Sequence, residues 1–382
     1  MCDCFALTRP TQVGNRLHRH LGSTSRDSLA KRTAPSRSPR SEARTRSADS
    51  REAGPWVDTH AHPGRFFVRG LSADDPAAAR LGRDTVDRAL QDLRVGGADL
   101  CCFATVADLR VLGVEPTGGI RARRAFEPGE AHRDHERQLA ALDEICARPG
   151  VARILAPGDW RTAREVDAIG ILAACEGGDF LEGRLERVEE AQRRGVRSIG
   201  LVHYRVNELG DIQTEPPVHG GLSAFGASVV REMNRLGLII DLAHGTFELT
   251  RQVLELSTRP VLLSHSHLAR GADSHPRLLS REHARAVAEA GGLLGAWPAG
   301  VELETFDDFV DEILRMIDLV GVAHVAIGSD MDANYRPVFE NYRELPALAE
   351  ALADRGLADV EIAEVLGENF IRLFEAVAAS TR

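Results

Sequence analysis

The sequence predicts an α/β protein, a (β/α)8 barrel of the TIM type preceded by a disordered N-terminal tail. Three observations carry that reading. Eight short apolar runs recur between Trp56 and Asp330, amphipathic helical segments separate and follow them, and the stretch of about 320 residues from Trp56 onward suits a barrel of roughly 250 residues enlarged by loop insertion.

In order, the runs are "WVDTHAH" from Trp56, "DLCCFATV" from Asp99, "IGILAACEGG" from Ile169, "SIGLVHY" from Ser198, "LIIDLAH" from Leu238, "VLLSHS" from Val261, "GLLGAWP" from Gly292 and "HVAIGSD" from His324. Each is apolar at both alternating sets of positions, as parallel strands covered on both faces require. The helix signals between them are explicit in "TFDDFVDEILRMIDLVG". There Thr305 caps the start with Asp308 three residues on, and Phe306, Phe309, Val310, Ile313, Met316, Ile317 and Val320 repeat at helical spacing. Gly321 ends the segment. An open doubly wound sheet would carry a Gly-rich phosphate loop after its first strand, and "DTHAHPGRF" is not one.

Two domains of unequal character follow. Residues 1–52, with "TAPSRSPRSEARTRSADSRE", are rich in Arg, Ser and Pro and lack a periodic apolar face, so they cannot offset the entropy of ordering and read as a disordered basic tail. A docking arm or a transit peptide is the functional alternative for such a segment. Residues 53–382 form the barrel. The tail carries 11 Lys or Arg against 5 Asp or Glu within a chain of net charge −10, which leaves the barrel at about −16. An acidic body is unsuited to a phosphate backbone, so nucleic acid is excluded as a partner for it. The 6 cysteines form neither a CxxC pair nor a disulfide framework. With no apolar run long enough for a membrane span or a secretory signal, the expectation is a cytoplasmic protein without membrane contact.

Of the 14 histidines, six fall at or beside the C-terminal end of an apolar run: His60, His62, His203, His244, His265 and His267. Glu176 and Asp330 end two further runs. A barrel builds its site from these ends, so side chains distant in sequence should converge on one mouth. A single histidine after a strand is more often a hydrogen-bonded structural residue than a ligand. Several together change that balance, and Glu176 at the end of a buried strand needs a cation or a donor to meet it. His60 and His62, two apart in an extended segment, share one face. Imidazole and carboxylate donors without a thiolate favour zinc, with manganese, iron or cobalt as alternatives. Four histidines and one shared carboxylate exceed what one catalytic metal with an open position can use, so two divalent ions bridged by Glu176 are expected.

The motifs "EGG" at Glu176, "LVHYRVN" at His203, "GLSAFGASVVREMNRLGLIIDLAH" ending at His244, "LLSHSH" at His265, "HPRLLS" at Arg277, "IGSDMD" at Asp330 and "LGENFIRLF" near the end occur in an order and spacing that resemble the membrane dipeptidase (renal dipeptidase) family, peptidase family M19, among the amidohydrolase-like metal-dependent barrels. The resemblance runs from about Trp56 to Phe374. It implies His60 as a ligand of one metal, Glu176 as the bridge, and His244 and His265 as ligands of the second. It further implies His203 beside the substrate carbonyl, Arg277 on the substrate carboxylate, Asp330 on the nucleophilic water, and no role for His267. Where the family has His-x-Asp in its first strand this chain has His-x-His, with His62 able to ligate in place of the aspartate.

The expected activity is hydrolysis of dipeptides with a free C-terminal carboxylate by a water-derived hydroxide held between the two metals. The same centre acting on another amide, a lactone or an N-acyl amino acid is the alternative. A barrel that binds without catalysis would be expected to lack Glu176, Asp330 or a histidine of the set, and none is missing. A homodimer is compatible with the sequence and not indicated by it.

Overall fold

The computed structural model describes residues 54–72, 74–115 and 119–379. The basic tail of residues 1–52 lies outside them. All eight predicted runs are strands of one parallel sheet: β1 (Val57–Ala61), β2 (Leu100–Val106), β6 (Ile169–Glu176), β7 (Val196–Gly200), β8 (Ile239–Asp241), β9 (Leu262–Ser266), β10 (Leu293–Ala296) and β11 (Val325–Ile327), hydrogen-bonded in that order. Three short strands complete the set. β3 (Leu112–Val114) and β4 (Ile120–Ala122) make an antiparallel hairpin, and β5 (Val151–Arg153) pairs with β6 off the main path.

The ring closes between its first and last strands just beyond their ends. His62 N donates to Met331 O at 3.0 Å and Asp330 N donates to His60 O at 2.9 Å. Behind this seam Asp58, buried, accepts from Ser329 N at 3.0 Å, from the Ser329 hydroxyl, from Tyr342 OH at 2.8 Å and from His60 N at 3.1 Å. Burial raises the pKa of this carboxyl, against four hydrogen bonds that favour its charge.

The strands begin apolar and end polar, which gives the barrel a dry floor and a wet mouth. Val57, Leu100, Leu172, Ile239, Leu262, Leu293 and Ala326 form one buried cluster with Phe370, Phe374 and Val377 of the closing helix Asn369–Ala378, which plugs the floor. The alternate set, including Phe103, Ile171, Ile199, Ile240 and Leu263, packs outward under the helices. The helix Phe306–Val320 starts at the expected capping box of Thr305 with Asp308 and ends at Gly321. Cys101, Cys102 and Cys175 are buried as small core residues.

The pairing register slips at three places: between Asp58 and Ala61 on β1 and opposite Leu294 and Ala296 on β9, both toward the mouth, and opposite Ala173 and Ala174 at the start of β7. An extra residue in one strand re-aims the side chains that follow. On β1 the result is that Thr59 reaches the Ser264 and Ile327 carbonyls, at 2.9 and 3.0 Å, while the adjacent His60 reaches Glu176. Gly295 and Gly328 leave the room this crowding needs, since a Cβ on either would lie 1.7 Å from Ser264 O and 2.9 Å from Thr59 Oγ1.

Gly328→Ala is therefore expected to destabilise the barrel by about 2 kcal/mol or more, the usual scale of forced overpacking, read as a lower urea midpoint at unchanged slope. An unchanged midpoint would show that Ser264 can yield.

Candidate metal centre

Glu176, the last residue of β6, brings its carboxylate into the middle of the mouth with 4% of its surface exposed. Five imidazoles surround it. Oε1 lies 3.4 Å from His60 Nε2, 3.0 Å from His244 Nε2 and 3.5 Å from His265 Nε2, while Oε2 lies 3.2 Å from both His62 Nε2 and His203 Nε2. Their donor atoms form two groups with Glu176 in common, His60–His62–Glu176 and Glu176–His244–His265, each with its atoms within 4.8 Å of one another.

Hydrogen bonds on the far side of several rings fix which nitrogen faces the centre. His62 Nδ1 lies 2.8 Å from Ala104 O, and because a carbonyl only accepts, the proton sits on Nδ1 and the Nε2 lone pair is free. His265 Nδ1 contacts Ser264 Oγ at 2.9 Å, and His60 Nδ1 is 3.9 Å from Asp241 Oδ2. Outer partners of this kind orient metal-binding imidazoles.

Two properties fit these residues to cations. His60 Nε2 and His62 Nε2 are buried and make no hydrogen bond, a costly arrangement unless an electrophile meets them. The protonation tendencies also conflict. Burial opposes a charge on His62, yet Asp330, at 3.4 Å, and Glu176 raise its pKa to about 10. Burial and the neighbouring cationic groups push His244 and His265 well below the ordinary histidine value. Burial would raise Glu176, but His203, His60 and His244 hold it well below a normal carboxyl. Positive charge is wanted at the carboxylate while two of the rings must stay neutral, which is what divalent cations between them satisfy.

The remaining expected residues share the same mouth. His203 donates from Nδ1 to Asp108 Oδ1 at 2.6 Å, and Tyr204 N donates to the other oxygen of that carboxylate at 3.1 Å. Burial disfavours a charge on His203, but Asp108 and Glu176 outweigh it and raise its pKa. Asp330 follows β11 in a left-handed backbone conformation, φ 51°, and His244 has φ 68°. Both are uncommon for side chains with a Cβ and cost energy that the surrounding bonds must supply.

Arg277 is 1% exposed, with its guanidinium carbon 5.4 Å from the Trp297 ring centre. Its Nη1 donates to Gln213 Oε1 at 2.7 Å, whereas Nε and Nη2 are buried without a partner. His267 stands outside the cluster and donates from Nδ1 to Trp297 O at 3.2 Å, a structural role. Arg277, Asp330 and His203 line one cavity of about 600 Å³, its open mouth included, within the range of small-molecule sites. Asp108, Asp241, Tyr204, Gln213 and Trp297 were not signalled as site residues. Asp241 stands in "LIIDLAH" three residues before His244, a polar residue in a buried strand that could have been noticed.

Fold and site together define a metal-dependent hydrolase barrel. The model of the membrane dipeptidase family, peptidase family M19, matches residues 57–382, and the chain belongs to that family. Dipeptidase verJ of Clonostachys rogersoniana is 33% identical over 342 residues, covering 85% of this chain and 84% of that protein. A metallopeptidase from Rhodobacter sphaeroides, solved with a phosphinate mimic of L-Ala-D-Ala, superposes with a TM-score of 0.71 at 20% identity over 85% of this chain and 99% of that one. The probable dipeptidase PvdM from Pseudomonas aeruginosa gives 0.69 at 21% identity, covering 86% and 97%. Among the described residues no helix is long and apolar enough to cross a membrane.

His62→Asp is expected to retain metal while shifting its ion preference toward harder ions such as manganese, measured by metal analysis after dialysis against mixed ions. Unchanged content and preference would make His62 a bystander.

Proposed function

We propose that this chain hydrolyses dipeptides bearing a free C-terminal carboxylate at a centre of two divalent ions, zinc by the chemistry of the donors. The observation that carries this reading is the sharing of Glu176 between two complete donor groups. His60, His62 and Glu176 would hold one ion, and Glu176, His244 and His265 the other. When bound, the pair polarises the scissile carbonyl and lowers the pKa of water at the site.

The chain's own residues supply the rest. Arg277, always charged, offers the buried and unpartnered Nε and Nη2 as a fork for a carboxylate, with Trp297 fixing its plane. That anchors the substrate at its C-terminal end and places the amide over Glu176. His203, held by Asp108, presents Nε2–H to the oxygen that becomes negative as the carbonyl is attacked. Asp330 accepts the proton of the attacking water and returns it to the departing amine nitrogen, so that water adds across the C–N bond with its atoms accounted for. Among the described residues the cysteines are poor nucleophiles, because burial raises the thiols of Cys101 and Cys102 and pushes Cys146 up to about 11 and Cys175 up to about 12.

The experiment is a hydrolysis panel on the zinc-loaded full chain, with dipeptides of both chiralities at the C-terminal residue, N-acyl amino acids and lactones. Arg277→Ala is expected to raise KM for a dipeptide by on the order of 10², the loss of one charged anchor. An unchanged KM removes that assignment. Asp330→Asn is expected to keep both metals and to lose several orders of magnitude in kcat, on the order of 10² to 10⁴. Loss of metal with the substitution would identify Asp330 as a ligand instead.

A further inference from the structure

The cavity has two unlike walls, and their positions follow from the strand order. In the ring β1-β2-β6-β7-β8-β9-β10-β11, β2 and β9 are separated by four steps in either direction and so stand opposite one another. Arg277 belongs to the segment after β9. Across the mouth, the end of β2 contributes Val106 and the segment after it Leu109, Leu112 and Ile120, joined by Phe67 from the turn after β1. Phe67, Val106 and Leu109 are at most 5% exposed and form a small apolar cluster of their own with Leu81 of the helix Pro76–Leu81. Leu112 and Ile120 belong to the β3–β4 hairpin, which is tied down where Arg80 Nη1 donates to Leu112 O at 3.0 Å. An ion pair between Arg110 and Asp75 fastens the same region, and Asp75 in turn caps that helix through Ala77 N at 2.9 Å. The charged group facing the cavity from this wall is a cation, Arg80.

Resting on the reading that Arg277 holds the substrate's C-terminal carboxylate, we propose that the wall of Phe67, Val106, Leu109, Leu112 and Ile120 is the subsite for the side chain of the amino-terminal residue and selects dipeptides in which that residue is large and apolar. With the carboxylate on one side of the mouth and the scissile carbonyl over Glu176, the amino-terminal residue has to extend toward the opposite side. There an aliphatic or aromatic side chain removes apolar surface from water against a preformed wall. A glycine leaves the partly exposed Leu112 uncovered, and a lysine or arginine side chain would set its charge against apolar side chains and beside the Arg80 guanidinium.

The test is kcat/KM on the zinc-loaded full chain for Leu-Ala, Phe-Ala, Gly-Ala and Lys-Ala, which share the carboxyl end that Arg277 would bind. Leu-Ala and Phe-Ala are expected to exceed Gly-Ala and Lys-Ala by at least about tenfold, the discrimination an apolar pocket provides. Ile120→Ala and Leu109→Ala are expected to lower the ratio of kcat/KM for Leu-Ala over Gly-Ala by about tenfold, and Ile120→Glu to raise Lys-Ala relative to Leu-Ala. Turnover of all four dipeptides at similar kcat/KM by the unsubstituted protein would overturn the subsite and leave the dipeptidase reading standing. Turnover of none would overturn both. Because the four dipeptides with the unsubstituted protein distinguish these outcomes, a variant that fails to fold does not remove the test.

Discussion

Everything at the mouth of this barrel is arranged around one buried carboxylate. Glu176 ends a strand in a place where water does not solvate it, and an isolated carboxylate there would cost several kcal/mol or protonate. Instead five imidazoles approach within 3.5 Å. Neutral imidazoles cannot balance a charge, and protonating them all would bring like charges within contact of one another, as the 3.1 Å separation of His244 Nε2 and His265 Nε2 makes plain. Ions between the rings and the carboxylate resolve both conflicts at once. The metal-dependent character of the family is thus rooted in a local electrostatic problem that these residues cannot settle among themselves.

The barrel supplies the rigidity this solution demands. Imidazoles must be held to within fractions of an ångström for a metal site, and strand ends with register slips and left-handed residues are by themselves poor supports. Here each irregularity is clamped. The β1 slip is held by Asp58 and Thr59, which bond to the segments of β9 and β11, and Asp330 is fixed by its own amide on His60 O. The backbone energy spent at His244 and Asp330 is localised at the mouth, past the strand ends, and the floor of packed apolar side chains at the other end of the barrel contains neither residue.

All eight strands of the ring were legible because parallel strands covered on both faces leave continuous apolar runs, and the six histidines stood out at their ends. The β3–β4 hairpin was not, since three-residue strands such as Leu112–Val114 are too short for any period to register. Nor were the register slips, which depend on how two distant strands pair and leave no mark on either sequence alone. Asp108 illustrates the same limit for the site. It sits in a turn two residues past β2, in "VADLRV", and becomes meaningful only through His203, 95 residues away. The carried-over residues His60, His62, Glu176, His203, His244, His265, Arg277 and Asp330 do meet at one mouth. Their chemical assignments rest on that geometry and on the family pattern.

An imidazole stands at position 62, where the family resemblance implies an aspartate, and carboxylates other than Glu176 lie close to the ring of imidazoles. Asp330 lies 3.4 Å from His62 Nε2, Asp241 stands 3.9 Å behind His60, and Asp108 is bonded to His203. Asp241 and Asp108 therefore meet their imidazoles on the far, Nδ1 side, whereas Asp330 meets His62 at Nε2, the nitrogen that faces Glu176. A carboxylate that binds a cation directly cancels charge where the substrate's carbonyl must be polarised, whereas one placed beyond an imidazole cancels less of it there and raises the basicity of the ring that intervenes. Asp108, bonded to His203 on the side away from Glu176, is placed to act in the second way. Such a placement suits a dipeptidase, in which the amide, an unreactive group, is the one that must be polarised.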